Sequence, residues 1–424
     1  MIRSLRDSFN DRFTQEHYAA FLKLLENRCS TKIEFRVAET PVFLPASILE
    51  ILSRAGADLL GSLMEDASYL DAARQAIPHG YCVPGDSVHP NFLTADFALV
   101  RDEKGVLVPK LVEIQAFPSV FAYQAILCAT YRDAFDLPES LHVYLGNLDH
   151  DDSYWQLLRR TVIGDHSPEN VVLTEIDPEH QKTLPDFRIT AERLGVTVVD
   201  VSTLRPEKSQ LFYRNPVGRL VPIERIYNRA IADELIARDI SLPFDLTRSW
   251  DVEWAGHPNW YFLVSKFSIP WLARMGAARD LVPPAVFLDE FLEGPGRLSL
   301  ADAGVSLPAE SGPETQYSEL LLKPLFSFAG KGIHFEPTRA QLESIPADRR
   351  RDFLLQQRMR FEPTIDTPFG MTQAEFRILY LWPDGGELTP ALSLVRLGRG
   401  KMMGVDHNKN QQWVGGSAAF FPGA

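Results

Sequence analysis

Apolar residues in the first part of the chain recur at helical and at strand spacing, which predicts a mixed α/β protein. Helical spacing over residues 11–27 predicts an amphipathic helix, and a second helix is predicted from Pro45 to about Met64. Between these helices, apolar and polar positions alternate over residues 31–37, as in a strand with one buried face. We therefore interpret residues 1–85 as an N-terminal α/β cap.

The next segment alternates on both sides of a tight turn and predicts a β-hairpin. With Lys104-Gly105 as a two-residue turn, Asp96 lies opposite Glu113, and Gln115 projects from the same face. Two carboxylates and an amide oxygen on one face suit Mg²⁺, and we expect no cation on that face to offset their charge. The alternative is a solvated polar face. The opposite face is predicted to enter a core through Val112, Ile114 and Ala116.

Residues 141–245 alternate between short apolar runs and helical stretches, a pattern typical of parallel βα units. The runs LHVYLG, NVVLTEI and VTVVDV predict parallel strands, and no GxGxxG sequence follows the first of them. We therefore predict a Rossmann-like substrate domain without a dinucleotide site. Arg225 and Arg229 are placed to bind a substrate carboxylate, although the alternative is a pair of ordinary surface arginines.

The stretch LLLKPLFSFAGKGI predicts a strand with an inward lysine, followed by a turn suited to phosphate. Leu321, Lys323 and Leu325 share one face of this strand. The turn ends in Gly330-Lys331-Gly332, whose glycines allow close backbone approach to an anion. The alternative is an ordinary edge strand whose lysine reaches solvent along its alkyl chain.

The segments around this stretch complete the C-terminal part of the prediction. Within residues 259–284, a helix is predicted to begin near Ser265-Lys266 and to end before VPPAVF. Residues 291–317 are predicted to form a long loop because they are rich in Gly, Pro and Ser. The run FLLQQ predicts an apolar strand that ends in amides. Two further strands, around residues 375–379 and 392–396, are predicted to pair antiparallel.

Composition and charge exclude several broad classes. The 424 residues carry 43 Lys+Arg against 56 Asp+Glu, a net charge of −13, which argues against a general nucleic-acid-binding protein. Cys29, Cys82 and Cys128 have no CxxC spacing and predict neither a disulfide framework nor a zinc site. We find neither a secretory signal pattern nor an apolar run of membrane-spanning length, so we expect a cytoplasmic protein without a membrane partner.

Four segments together resemble the circularly permuted branch of the ATP-grasp enzymes, which includes glutathionylspermidine synthase. They are TADFALV…KLVEIQAFPS, SKFSIPWLARMG…LVPPAVF, LLLKPLFSFAGKGI and LLQQRM. The first of them, similar to the metal segment of the family, precedes both lysine segments, as in the permuted branch. The resemblance covers roughly residues 85–415 and leaves the opening region unexplained.

The resemblance implies a permuted ATP-grasp fold with an embedded Rossmann-like parallel βα unit and antiparallel sheets around the nucleotide. Residues 86–140 would then form the metal-binding part of the core. Residues 141–245 would be the substrate domain, and residues 246–424 the nucleotide-binding lobes.

The resemblance also implies roles for individual residues. The metal set is Asp96, Glu113 and Gln115, where the family usually has asparagine in place of this glutamine. An arginine that stabilises the transition state is not evident from the motif, and three residues could supply it: Arg377, Arg396 or Arg399. ATP would be bound by Lys266, Lys323, Gly330, Lys331, Gly332, Gln356 and Gln357.

The function implied is that of an ATP-dependent carboxylate–amine ligase that uses ATP and Mg²⁺ and forms an acyl phosphate. Its partners would be a small-molecule or peptide carboxylate and an amine acceptor. The alternatives are a non-catalytic nucleotide-binding or scaffold protein and a small-molecule kinase on the same fold. A P-loop ATPase is excluded because Gly332 follows Lys331 where that motif requires Ser or Thr, and a serine hydrolase because GxSxG does not occur. The substrates and the oligomeric state are left open.

Overall fold

The computed structural model describes residues 1–309, 312–326, 332–401, 403 and 410–423. Its helices are α1 Arg3–Arg12, α2 Gln15–Cys29, α3 Ala46–Glu65, α4 Ala67–Gln75, α5 Phe121–Ala134, α6 Asp151–Ile163, α7 Leu184–Leu194, α8 Ala232–Ala237, α9 Trp260–Leu263, α10 Ser268–Arg274, α11 Leu288–Glu293, α12 Pro295–Asp302 and α13 Arg339–Glu343. Its strands are β1 Val42–Phe43, β2 Phe92–Arg101, β3 Leu107–Gln115, β4 Leu141–His142, β5 Val171–Glu175, β6 Thr197–Asp200, β7 Arg205–Glu207, β8 Gln210–Arg214, β9 Leu220–Ile223, β10 Arg225–Asn228, β11 Glu253–Ala255, β12 Ala285–Phe287, β13 Leu320–Pro324, β14 His334–Phe335, β15 Phe353–Gln357, β16 Pro363–Ile365, β17 Thr372–Leu381, β18 Thr389–Gly398 and β19 Gly415–Pro422.

An 8-stranded sheet forms the centre of the fold. Its main order is β1-β19-β18-β17-β2-β3, with β16 paired to β17 and β4 paired to β19. Helices α2 and α5 pack on one face, where they meet Leu379 and Leu392, and α3 packs on the other face against Ala95 and Ile378. Because β17 pairs antiparallel with both β2 and β18, the C-terminal strands lie directly beside the predicted hairpin.

The predicted hairpin is confirmed as β2 and β3, and Asp96 lies opposite Glu113 as expected. The loop between the strands is longer than predicted. Asp102 donates its backbone N–H to the carbonyl of Val106, which leaves residues 103–105 as a three-residue connection. A loop of this length alone would put every later pair out of the predicted register by one residue.

A β-bulge in β3 restores the predicted register. The pairing shifts by one residue between Asp96 and Phe97, so that β3 contains one residue more than β2 at this point. Leu111 and Ile114 both enter the core as a result. Val112, which was predicted to enter a core, is half-buried and outside it, so that prediction is wrong.

A second sheet is parallel throughout and has the order β11-β10-β5-β6. The predicted parallel βα pattern is confirmed for β5 and β6. The prediction for LHVYLG is wrong, because β4 is short and pairs antiparallel with β19 of the large sheet. The order of the parallel sheet reverses between β5 and β10: the chain first adds β6 on one side of β5 and later adds β10 and β11 on the other. The connection between β6 and β10 contains the 3-stranded sheet β7-β8-β9.

A third sheet, β12-β15-β13-β14, carries the predicted lysine strand. Leu320 and Leu322 of β13 pack with Phe291 of α11 in one core, whereas Leu325 packs in the core beneath the large sheet. This division confirms the predicted alternation, which places Lys323 on the same face as Leu325.

Two predictions for the segment before β13 are wrong. The helix predicted to run from near Ser265-Lys266 to VPPAVF is shorter: α10 ends at Arg274 because Met275 takes extended backbone angles, and extended Val264 separates α10 from α9. The loop predicted over residues 291–317 contains the end of α11 and all of α12. The break at Val264 matters for the site, because it puts Lys266 in a turn between the two short helices.

The opening region joins the large sheet. The helix predicted from Pro45 is confirmed as α3, with Pro45 as its N-cap residue. Residues 31–37 do not form a regular strand, since only Val37 makes an isolated bridge, to Gly416. Strand β1 instead pairs parallel with β19. No helix in the described ranges has both the length and the apolar character that crossing a membrane requires.

Candidate functional site

Charged residues from neighbouring strands meet on one face of the large sheet. Asp96 of β2 lies directly opposite Glu113 of β3 on one side and Arg377 of β17 on the other. Glu375, two residues before Arg377, lies opposite Arg396 of β18. Residues two apart in a strand share a face, so these side chains form one row. Together with two lysines described below they make up what we call the charge cluster: Asp96, Glu113, Lys266, Lys323, Glu375, Arg377 and Arg396.

Asp96 is fully buried at the centre of the cluster, and both of its oxygens accept hydrogen bonds from arginine. Arg377 donates from Nε to Oδ1 at 2.6 Å and from Nη2 to Oδ2 at 2.7 Å, and Arg396 also donates to Oδ2. Burial disfavours the charged carboxylate, but the two guanidinium groups outweigh it and hold the pKa of Asp96 below its ordinary value. The expectation that no cation offsets these carboxylates is therefore wrong.

Glu113 lies at the open side of the cluster and is held less tightly. Its Oε1 is 3.5 Å from Nη2 of Arg377, and its Oε2 is 3.8 Å from Nζ of Lys266. Lys266 reaches it because the backbone N–H of Ala116 donates to the carbonyl of Val264 at 3.0 Å, which fastens the α9–α10 turn to the end of β3. The first predicted phosphate lysine therefore lies beside the predicted metal hairpin.

Lys323 approaches the same carboxylates from the third sheet. It is buried and donates to Oε1 of Gln356 at 2.6 Å. Burial lowers the pKa of Lys323 to about 8, Glu113 partly opposes that change, and Lys266 adds to it. Two lysines that are distant in the sequence thus both interact electrostatically with Glu113, an arrangement that suits a bound polyphosphate.

The predicted phosphate turn lies largely outside the described residues, including Gly330 and Lys331. Gly332 is described and has a φ of 76°, and an added Cβ would lie 3.1 Å from Cγ of Pro324. Phe326, the last described residue before the turn, packs edge-on against Phe262 with the ring centroids 5.1 Å apart. Phe326 therefore lies beside the segment that carries Lys266.

Glu375 belongs to the cluster and was missed in the sequence. It forms an ion pair with Arg396. Burial raises the pKa of Glu375 to about 7; Arg396 opposes this change, and the nearby charges of Asp96 and Glu113 add to it. The alternation Glu375-Phe376-Arg377 could have indicated a second charge on the face of Arg377. The partners of that charge could not be foreseen, because they depend on the pairing of β17 with β18.

The two glutamines predicted to bind ATP, Gln356 and Gln357, differ in their surroundings. Gln356 is fully buried, and its Nε2 has no hydrogen-bond partner among the described residues. Gln357 is half-buried, and its backbone N–H donates to the carbonyl of Pro284 at 2.8 Å. The side chain of Gln356 thus contacts the charge cluster through Lys323.

Arg225, predicted to bind a substrate carboxylate, is used within the fold. Its guanidinium donates to the carbonyls of Thr161 and Val162 and to the carboxylates of Glu253 and Asp384, the last at 2.6 Å. A substrate carboxylate would have to displace these partners. We therefore assign Arg225 to the junction between α6, the parallel sheet and the large sheet.

Arg229 has a similar position inside the molecule. It donates to the carbonyl of Pro118, and its guanidinium carbon lies 5.4 Å from the ring centroid of Phe117 and 5.3 Å from that of Phe187. Its charge also acts on the buried carboxylate of Asp186. The side chain is 5% exposed, so the alternative prediction of a surface arginine is wrong for it, and its contacts are those of a packing residue.

Of the three candidate arginines, two lie in the charge cluster. Arg377 and Arg396 both contact Asp96. Arg399 instead donates to the hydroxyls of Thr372 and Thr367, at 3.1 and 3.0 Å, and so ties the segment after β16 to the end of β18. Geometry therefore favours Arg377 and Arg396 for contact with a reacting group.

The predicted metal ligands differ in how well they suit Mg²⁺, which requires oxygen atoms that are not already bonded to cations. Asp96 does not fit, because guanidinium groups occupy both of its oxygens. Glu113 fits, because its side chain is 18% exposed and its ion pairs are long. Gln115 projects from the same face of β3. In the described ranges, no group of three or more His, Cys, Asp or Glu is arranged to hold a metal ion. The fit is thus confined to Glu113 and Gln115.

Comparison with solved structures shows a likeness that extends over most of the chain. A glutathione synthetase-like effector from Globodera pallida, solved in the apo form, is similar with a TM-score of 0.55 over 90% of this chain and 93% of that chain. The two sequences are 12% identical, so the likeness shows the fold alone. No protein-family model and no curated protein matches this sequence. The chain therefore has an α/β fold that it shares with a glutathione synthetase-like protein.

Proposed function

We propose that the protein is an ATP-dependent carboxylate–amine ligase of the circularly permuted ATP-grasp type. The observation that carries the proposal is that Lys266 lies 3.8 Å from Glu113, whose charge also acts on the buried Lys323. The hairpin, the α9–α10 turn and the third sheet contribute one of these residues each, and they adjoin in space although the hairpin precedes both lysines in the sequence. The fold likeness to a glutathione synthetase-like protein supports the same class.

Lys266 and Lys323 bind the phosphates of ATP in this proposal. A cation about 4 Å from a phosphate charge contributes roughly 4 kcal/mol at an effective dielectric constant near 20. Gln356 holds the ammonium of Lys323 through a 2.6 Å hydrogen bond. Gly330, Lys331 and Gly332 would contribute to binding of the same phosphates.

Mg²⁺ would be held by Glu113 and Gln115, with water and phosphate oxygens completing its ligands. Bound there, it would neutralise the negative charge that develops on the phosphates during transfer. Asp96 has a different role in this proposal. It fixes the orientation of Arg377 and Arg396, and it is therefore a positioning residue rather than a metal ligand.

The reaction proceeds in two transfers. A substrate carboxylate oxygen attacks the γ-phosphorus of ATP, and the bond to the bridging oxygen of ADP breaks, which gives an acyl phosphate. The amine nitrogen then attacks the acyl carbon; a C–N bond forms, phosphate leaves with the electrons of the C–O bond, and the amine loses a proton. Arg377 and Arg396 would stabilise the negative charge on the transferring phosphoryl group.

A screen for ADP release with Mg-ATP tests the proposal. Amino acids, peptides and polyamines are offered as amines together with simple carboxylates, and hydroxylamine is added to trap an acyl phosphate as a hydroxamate. Lys323→Met is expected to weaken nucleotide binding, and Glu113→Gln to reduce turnover more than nucleotide affinity. Lys104→Met, in the exposed hairpin loop, is the matched control. Unchanged ADP release in both cluster variants would contradict the site assignment.

A non-catalytic nucleotide-binding protein is the second candidate. The occupation of Asp96 by arginines favours it, because only part of the predicted metal set remains. Isothermal titration with ATP, with and without Mg²⁺, separates the two candidates. Binding that is indifferent to Mg²⁺ and is followed by no ADP release with any acceptor would favour the second. A kinase on the same fold would give a stable phosphorylated product and no C–N bond.

A further inference from the structure

A groove opens on the face of the large sheet that is turned away from the charge cluster. Leu99 of β2 lies opposite Pro109 of β3, and both residues line the groove. The next pair on the same face, Arg101 and Leu107, lines it as well. Leu99 and Arg101 follow Asp96 by three and five residues, so strand alternation directs them to the other face of β2. A ligand in this groove and a nucleotide at the charge cluster would therefore lie on opposite faces of the sheet.

Helix α3 forms the wall of the groove that faces the hairpin. Ile48, Ile51 and Leu52 line it, and their spacing of three and four residues puts them on one side of the helix. Pro363 and Thr364 of β16 also line the groove. Its cavity volume is about 300 Å³, whereas one water molecule occupies roughly 30 Å³ in the liquid. The groove is thus large enough for a small organic ligand.

The lining of the groove is mostly apolar, and part of it is exposed to water. Ile51, Leu107 and Met371 are 55%, 41% and 48% exposed, whereas Leu44 and Leu52 are buried. Large apolar side chains that are exposed singly are ordinary on a protein surface, but three of them around one opening indicate a surface that binds an apolar group. A ligand with an apolar body would remove these side chains from water, which favours its binding.

Charge complementarity limits what that ligand can be. Among the described residues that line the groove, Arg101 is the only one with a charged side chain. Its Nε lies 2.9 Å from Oε1 of Glu362, and its Nη1 donates to the carbonyl of Gly105 at 2.8 Å. The arginine side chain is 53% exposed, so its ion pair is weak, and its Nη2 makes no hydrogen bond within the described ranges. The two contacts orient the guanidinium group and leave Nη2 available to an anion.

We propose that the groove binds a small amphipathic anion, a carboxylate with an unbranched hydrocarbon chain of about eight carbon atoms. The chain would lie between α3 and the end of the hairpin, where it would cover Ile51 and Leu107. The carboxylate would accept a hydrogen bond from Nη2 of Arg101. This binding goes beyond the proposed ligase reaction and does not depend on it.

Isothermal titration of the full chain with hexanoate, octanoate and 1-octanol tests the groove. Octanoate should bind about fifteenfold more tightly than hexanoate, because each of two further buried methylene groups contributes about fourfold. It should bind up to about fivefold more tightly than 1-octanol, the effect of an exposed ion pair, and Arg101→Gln should remove this difference. Ile51→Asp introduces a negative charge into the apolar wall and should abolish octanoate binding. Leu298→Asp, at an apolar position that is 68% exposed and outside the groove, should leave it unchanged.

The outcomes separate this inference from its alternatives. Equal affinity for hexanoate and octanoate, or octanoate binding retained in Ile51→Asp, would overturn it. Octanoate binding that is lost in Lys323→Met but not in Ile51→Asp would place the carboxylate in the charge cluster instead. A dimer that Ile51→Asp dissociates in sedimentation experiments, in a protein that does not bind octanoate, would show that a second copy of the chain covers the groove.

Circular dichroism establishes that each variant is folded. If Ile51→Asp is not, Met371→Asp is used in its place, since Met371 also lines the groove and is 48% exposed. None of these measurements uses ADP release. The proposed ligase can therefore fail while the groove binds octanoate, and the groove can remain empty while the ligase is active.

Discussion

Replacement of Asp96 by asparagine tests whether this residue holds the arginines in place or binds a metal. The asparagine side chain would have the same shape but no charge. Its single amide oxygen could accept from one guanidinium group, while its NH₂ group would point a second donor at the arginine N–H groups. Arg377 and Arg396 would then lose their shared carboxylate inside the protein, where Glu375 and Glu113 provide less direct partners.

The structure indicates a large effect. Asp96 is 0% exposed and accepts hydrogen bonds from two arginines, one of them bidentate. Removal of one partner from a buried ion pair typically costs about 3–5 kcal/mol, because it leaves uncompensated charge in the interior. That cost is a large part of the roughly 5–15 kcal/mol by which a typical domain is stable. We expect Asp96→Asn to lower the free energy of unfolding by about 3–5 kcal/mol.

Urea unfolding followed by circular dichroism measures this loss. Glu113→Gln is the matched control, since it also removes one negative charge from the same face. Its ion pairs are 3.5 and 3.8 Å long and its side chain is 18% exposed, so the expected loss is below about 1 kcal/mol. Combining Asp96→Asn with Arg396→Met should recover part of the stability, because one of the two unpaired cations is removed.

A different result would refute the reasoning. Suppose that the free energy of unfolding of Asp96→Asn is within about 1 kcal/mol of that of the unchanged protein, and that ATP binding loses its Mg²⁺ dependence. Asp96 would then be a metal ligand, and the orientation of the arginines would not depend on it. Equal losses of unfolding free energy for Asp96→Asn and Glu113→Gln would show that water reaches the cluster more than these contacts indicate.

Two further predictions concern pH. Because the pKa of Lys323 is about 8, its protonated fraction should fall from about nine-tenths at pH 7 to about one-tenth at pH 9, and ATP affinity measured by titration should fall about tenfold. Lys323→Arg should abolish this loss of affinity. An equal loss of affinity in both proteins would contradict the proposed role of the lysine. The folded-state pKa of Glu375 is about 7, above its ordinary value of 4.5, so between these pH values the native state binds more protons than the unfolded state. The free energy of unfolding should therefore decrease by up to about 3 kcal/mol as pH rises through that window. Urea midpoints at pH 4.5 and 7.5 should differ less for Glu375→Gln than for the unchanged protein, and identical pH profiles would contradict the prediction.

Local pattern was sufficient where a single element determines the outcome. Strand alternation correctly placed Lys323 and Leu325 on one face, since the period of two residues is a property of the strand itself. The same holds for α3 after Pro45 and for the repeated βα pattern around β5 and β6. Through the family resemblance, the order of the motifs also assigned the hairpin and both lysines to one site. Whether these residues approach one another depends on the fold.

The Asp96–Glu113 pairing was correct for a reason that the sequence did not reveal. The loop is one residue longer than predicted, which shifts the strand register by one residue. The extra residue of the bulge before Glu113 shifts the register back by one, so the two departures from the prediction cancel. A bulge depends on which side chains the neighbouring core can take, here Leu111 and Ile114 together. Hydrophobic pattern within one hairpin contains no such information.

Tertiary structure alone decided which charges meet. Asp96 and Arg377 are 281 residues apart in the sequence, and they pair only because β17 lies beside β2 in the large sheet. The same pairing adds Glu375 to the site, whereas Arg225 and Arg229 are enclosed by their neighbours. The sequence by itself determined the types of element and the residues able to bind phosphate. The partners of those residues, and hence their charge states, depend on strand pairing between distant segments, which no local periodicity encodes.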